Sequence, residues 1–136
     1  MQQRAVKALG EIALRVKNLD LMQRFYEEDI GLELMKRFPH AVFFKIAEGY
    51  GGHTQILALF GRSRETGYRG VEPEKSTVDH LAFTIELKAF AGEKKRLEQL
   101  GLNVKTANHA WVHWRSLYVT DPEGNIVELV CYDESV

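Results

Sequence analysis

Two stretches of the chain alternate in the same way. Glu11-Ile12-Ala13-Leu14-Arg15-Val16 sets Ile12, Leu14 and Val16 on one side, and His80-Leu81-Ala82-Phe83-Thr84-Ile85 sets Leu81, Phe83 and Ile85 on one side. Alternation over this length predicts a strand with one face on a core. A helical pattern follows each strand. Asn18 or Asp20 caps a first helix to about Asp29, with Met22, Phe25 and Tyr26 on its buried stripe. A second helix is predicted from about Lys88 to Leu100, with Phe90, Leu97 and Leu100 on the apolar side. Both end near a Gly-Leu pair, Gly31-Leu32 and Gly101-Leu102, where glycine accepts the left-handed conformation past a helix end.

Three more strand-like runs complete each half. They are Leu32–Arg37, Ala41–Ala47 and His53–Phe60, then Leu102–Ala107, Ser116–Thr120 and Ile126–Tyr132. Asp121-Pro122-Glu123-Gly124-Asn125 reads as a hairpin turn, and Gly49-Tyr50-Gly51-Gly52 as another. His40, after Pro39, reads as a turn residue. The offset between halves is 69 positions from Glu11 to His80 and 70 from Gly31 to Gly101. A nearly constant offset points to one βαβββ unit used twice. Module one spans about 8–61, a Gly- and Pro-bearing linker about 62–77, and module two about 78–134.

Composition narrows the partners. Eighteen Lys and Arg against nineteen Asp and Glu give a formal charge of -1, with no basic stripe for nucleic acid and no apolar span for a membrane. The 136 residues suit a single domain. The N-terminal residues lack a signal-peptide core, and Cys131 is the only cysteine, so a cytoplasmic location is expected. Cys131 stands three residues after Glu128, which turns it to the helix side of its sheet as a packing residue.

The candidate chemistry lies on the polar parity of apolar strands. Glu11 and Glu128 sit among Ile12, Leu14, Val127 and Leu129. A carboxylate in mid-sheet requires a partner. A divalent cation satisfies two carboxylates together; the structural alternative pairs Glu11 and Glu128 with Lys45 or Arg115 and leaves His80 as a core histidine. His109, Trp111, His113 and Arg115 also alternate. If extended, they form a wall for an anionic or aromatic ligand; otherwise they are a structural aromatic loop.

These residues resemble the vicinal-oxygen-chelate superfamily, which includes glyoxalase I, bleomycin-resistance proteins and extradiol dioxygenases. The family's first strand typically reads His-x-x-Leu-x-Val, and here Glu11 stands first, with Leu14 and Val16, then Asn18-Leu19-Asp20 and Phe25-Tyr26. Its closing hairpin, Asp-Pro-x-Gly-Asn-x-x-Glu-Leu, matches Asp121 through Leu129. The resemblance implies an α+β fold of two βαβββ modules, with sheets curled into an open cup and helices outside. It further implies one divalent metal (Zn, Ni, Mn, Fe or Co) on Glu11, Gln55, His80 and Glu128, with His53 the alternative to Gln55.

Glyoxalase I of eukaryotes is similar in its ligand types. The implied activity is that of a glyoxalase-like lyase or isomerase, in which Glu128 and Glu11 shuttle a proton on a small substrate with vicinal oxygens. The lost first histidine disfavours an extradiol dioxygenase. A metal-free resistance protein that sequesters a small molecule is the competing reading. A homodimer is expected in either case.

Overall fold

The computed structural model describes residues 3–62 and 67–136. Within the expected linker, residues 63–66 lie outside the described residues. The chain divides into two compact units, Met1–Gly70 and Val71–Val136.

The first unit holds β1 (Glu11–Val16), a helix, β2 (Glu33–Phe38), β3 (Ala41–Ala47) and β4 (Gln55–Gly61). The strands lie in the order β1-β4-β3-β2, with β1 parallel to β4 and the other pairs antiparallel. The second unit repeats the plan. It holds β5 (Leu81–Thr84), a helix, β6 (Lys105–His109), β7 (Trp114–Thr120) and β8 (Ile126–Tyr132), in the order β5-β8-β7-β6. Each is a βαβββ module, as the repeated pattern predicts.

The first helix begins as α1, Leu19–Arg24, where the Asn18 side chain accepts a hydrogen bond from the Leu21 N–H at 3.1 Å. It then widens into a π-helical stretch, Phe25–Ile30. The adjacent rings of Phe25 and Tyr26 are both buried, in edge contact at 5.1 Å, and Tyr26 reaches Phe44 on the sheet. Gly31 closes the helix at φ 90. In the second unit α2, Phe90–Gln99, buries Phe90 and Leu97. Leu100, expected on the same stripe, is exposed, because it ends the helix and turns away from the sheet.

In each unit the helix lies over one face of the sheet. Leu14, Val16, Val42, Phe44, Leu57 and Leu59 make the covered face of the first, and Leu81, Leu117, Val119, Val127, Leu129 and Cys131 that of the second. Burial is the expected one for Cys131, which lies 1% exposed with its thiol near the Arg115 carbonyl. The opposite face of each sheet carries no helix of its own unit, and it is there that the polar positions point.

Strand limits match expectation for β1, β3 and β8 and differ by up to three residues elsewhere. Gly51 and Gly52 have φ of 63 and 85, so the turn they form runs on to His53 and β4 starts only at Gln55. Of the segment read either as an extended wall or as an aromatic loop, residues 110–113 form the hairpin turn between β6 and β7, while His109 and Arg115 lie in those strands. His113 N–H donates to the Ala110 carbonyl, and His113 itself has φ 58.

Candidate functional site

Register locates the polar face. On β5, Leu81 is opposite Val127 and Ala82 is opposite Glu128. Thus Glu128 belongs to the uncovered face, while its neighbours Val127 and Leu129 go into the core. His80, two residues before Ala82, has the same parity. Across β8, Tyr118 is paired with Glu128 and Ser116 with Val130, both on that face. The Asp121–Asn125 turn holds this register. Asp121 Oδ1 accepts from the N–H groups of Glu123 and Asn125, and Oδ2 accepts from the Asn125 amide.

The result is a buried carboxylate, 5% exposed, gripped from several sides. Ser116 Oγ and Tyr118 OH both donate to Glu128 Oε2, at 2.5 and 3.2 Å. His80 Nε2 lies 3.1 Å from Oε1. His109 Nε2 is 3.0 Å from the Tyr118 hydroxyl and 3.9 Å from Oε2. On its other side His80 Nδ1 is 2.6 Å from Asp79 Oδ1. Burial, followed by the Glu128 charge, pushes the Tyr118 phenol above its ordinary pKa. A cavity of about 400 Å³ opens beside the cluster, lined by His80, Tyr118, Lys105, Thr120 and Ile126.

The donor set fits a divalent ion. Both ring nitrogens of His80 face carboxylate oxygens, so the gap between Nε2 and Oε1 calls for a positive centre, either a shared proton or a metal. Two ligands about 2.1 Å from one ion stand about 3.0 Å apart at a right angle and about 3.4 Å apart at a tetrahedral one. The observed 3.1 Å falls between them. One nitrogen and one carboxylate oxygen suit borderline cations such as Zn, Ni, Co, Fe(II) or Mn. Among the described residues no three His, Cys, Asp or Glu side chains come together in a metal-binding group. The structure therefore assembles a pair of donors here.

The remaining residues singled out from the sequence fall elsewhere. Glu11 lies in the first unit, at the register position that His80 continues in the second, and is exposed. It forms no salt bridge with Lys45, which pairs instead with Glu48. In the same register Ile12 is opposite Leu57 and Ala13 opposite Ala58. The counterpart of Glu128 in the first unit is thus Ala58, not Gln55. Gln55 shares its parity with the core residues Leu57 and Leu59. His53 sits in the turn before β4, where its ring packs on Gly10.

The supposed wall of His109, Trp111, His113 and Arg115 is dispersed by the turn. Only His109 joins the Glu128 cluster. Trp111 is 83% exposed at the tip. His113 Nδ1 is bound to the Val136 carbonyl at 2.6 Å. Arg115 points to the helix side, over the Phe90 ring at 4.5 Å and 3.8 Å from Asp133. It does not pair with Glu128.

Ser116, Tyr118 and Asp79 were not among the expected site residues. The first two could have been found by counting outward from the Asp-Pro-Glu-Gly-Asn turn, since Thr120 then faces Ile126 and Tyr118 faces Glu128.

A family model described as the glyoxalase/bleomycin resistance protein/dioxygenase superfamily matches residues 8–129. The chain belongs to that superfamily. A glutathione transferase FosA of Serratia marcescens is 27% identical over 124 residues, covering 91% of this chain and 80% of the relative. The crystal structure of a lactoylglutathione lyase from Agrobacterium tumefaciens is similar with a TM-score of 0.67 at 28% identity, covering 94% of this chain and 96% of that one. A glyoxalase/dioxygenase from Nostoc punctiforme shares the fold, with a TM-score of 0.72 at 23% identity over 98% of this chain and all of that one. Among the described residues of this superfamily member, no helix is long and apolar enough to cross a membrane.

Proposed function

We propose that this chain is a metal-dependent enzyme that binds adjacent oxygens of a small substrate and promotes proton transfer next to them, in the manner of a glyoxalase-like lyase or isomerase. The observation that carries the reading is the His80–Glu128 pair. It consists of a buried carboxylate and an imidazole with Oε1 and Nε2 3.1 Å apart, beside a cavity that His80 lines. These two residues would hold the ion, and Glu11, at the matching position of the first module, is the further donor to test. When bound, the ion would supply charge that stabilises an oxyanion developing on the substrate.

The grip on Glu128 assigns roles. Ser116 and Tyr118 fix Oε2 and turn Oε1 toward His80, so movement of this carboxylate would break both hydrogen bonds. Glu128 therefore suits a stationary ligand. A carboxylate that moves a proton must be free to approach carbon, and exposed Glu11 suits that role better. The two relatives named above with 27–28% identity are a glutathione transferase and a lactoylglutathione lyase. This favours a small electrophile or its thiol adduct as the substrate class.

The test is elemental analysis of protein purified without chelator or nickel resin. Wild type should retain a divalent ion, while Glu128→Gln and Glu11→Gln prepared alongside should each lose affinity on the order of 10-fold or more. Equal metal in all three, or none in the wild type, would overturn the reading and favour a metal-free binding protein.

A further inference from the structure

We propose that Asp79 is a positioning residue that fixes which ring nitrogen of His80 keeps its proton, and so presents Nε2 to the open face of the second sheet as an electron-pair donor. As far as it concerns a metal, the proposal rests on the reading given above for His80 and Glu128.

The geometry points to it in three ways. Asp79 Oδ1 lies 2.6 Å from His80 Nδ1, the distance of a strong, charge-assisted hydrogen bond. Nε2, at the far side of the ring, is the atom directed at Glu128 Oε1. A carboxylate on Nδ1 requires a proton there, and the neutral ring then has its lone pair on Nε2. Among the described contacts of His80, only Asp79 engages Nδ1; Glu128 faces Nε2 and by itself would favour a proton there, so Asp79 is the group that holds the proton on Nδ1.

Second, Asp79 has no evident packing role. Its side chain is 94% exposed. An ion pair so exposed adds little to stability, so its effect is on the orientation and proton of the ring. Third, the segment that carries it is held in place. Ser76 Oγ accepts from the Val78 N–H at 3.1 Å and donates to the Val78 carbonyl at 3.3 Å, just before Asp79. The ring is further confined by the edge contact of His80 with Tyr118, centroids 6.3 Å apart. A carboxylate behind a ligating imidazole orients the ring and raises its basicity, and losing it commonly weakens a metal site 10- to 100-fold.

The experiment uses the full chain with ¹⁵N-labelled histidine, comparing wild type, Asp79→Ala and Asp79→Glu. Imidazole nitrogen spectra report which nitrogen is protonated, and competition with a chromophoric chelator gives the affinity for Zn(II) alone. Wild type should show a protonated Nδ1 in His80, with Zn(II) on Nε2. Asp79→Ala should lose the fixed Nδ1 proton and bind Zn(II) about 10- to 100-fold more weakly, with unchanged thermal stability. Asp79→Glu should recover most of both. The same nitrogen signature and Zn(II) affinity in wild type and Asp79→Ala would overturn the proposal. If wild type binds no Zn(II), the metal reading fails but the nitrogen spectra still decide the role of Asp79. A difference between wild type and Asp79→Ala supports it, and identity overturns it.

Discussion

Tyr118 shows how one side chain serves a site without being its centre. Its hydroxyl donates to Glu128 and meets His109, and its phenol is harder to ionise because it is partly buried beside a carboxylate. A tyrosine whose folded pKa lies above the unfolded value, about 10, contributes stability that is present below that pH and lost as pH rises through the folded pKa. Wild type should thus lose more stability than Tyr118→Phe as pH rises above about 10, by urea midpoints measured in parallel. Equal slopes for the two proteins would mean that neither burial nor Glu128 raises the phenol's pKa in the fold. Ser116 bears on the same carboxylate from a fully buried position. Ser116→Ala should cost about 1–3 kcal/mol, since one donor to a buried charge is removed. The check is the unfolding free energy at neutral pH.

At the scale of elements, the Asp121–Asn125 turn sets the pairing of β7 with β8 and thereby places Tyr118 against Glu128. Asp121 is 4% exposed and accepts three hydrogen bonds within the turn. Asp121→Ala should therefore lower stability by about 2 kcal/mol or more, because buried donors are left without an acceptor. Chemical denaturation would read the loss, and an unchanged midpoint would show that Pro122 and Gly124 suffice for the turn. This element was legible from sequence because five consecutive residues with fixed turn chemistry specify both a bend and a register. The β6–β7 connection was not legible. Alternation of His109, Trp111, His113 and Arg115 satisfies a strand pattern, yet His113 takes a left-handed backbone and the chain reverses there. Periodicity reports which residues could share a face, and a tight turn without Gly or Pro leaves that pattern undisturbed. Gln55 was misplaced for a related reason. The position equivalent to Glu128 is set by the register of β4 against β1, which pairs Ala13 with Ala58, and that register is not written in the alternation of β4 itself. The helices and the two-module plan, by contrast, rested on many residues at once and survive errors of a few positions.

For the whole molecule, two four-stranded sheets of identical strand order carry different uncovered faces. That of the second unit gathers Glu128, His80, His109, Tyr118 and Ser116. That of the first bears Phe43 opposite Ala58, with Phe60 and Phe38 in edge contact with Phe43 at 5.8 and 5.9 Å. Each sheet also ends in edge strands, β1 and β2 in one and β5 and β6 in the other, and such edges favour pairing with another chain. We expect a homodimer, and sedimentation showing a strict monomer at high micromolar concentration would refute it. The contrast at Ala58 also bears on what mutation can reach. Ala58 is fully buried, with Phe43 paired to it across β3 and Phe60 two residues along on the same face. A glutamate introduced there would meet no Ser116, no Tyr118 and no histidine, and an unpaired buried carboxylate costs several kcal/mol, a large share of the total stability of a small protein. A carboxylate grafted at Ala58 would therefore need its donors supplied with it, as Ser116 and Tyr118 are for Glu128 in the second sheet.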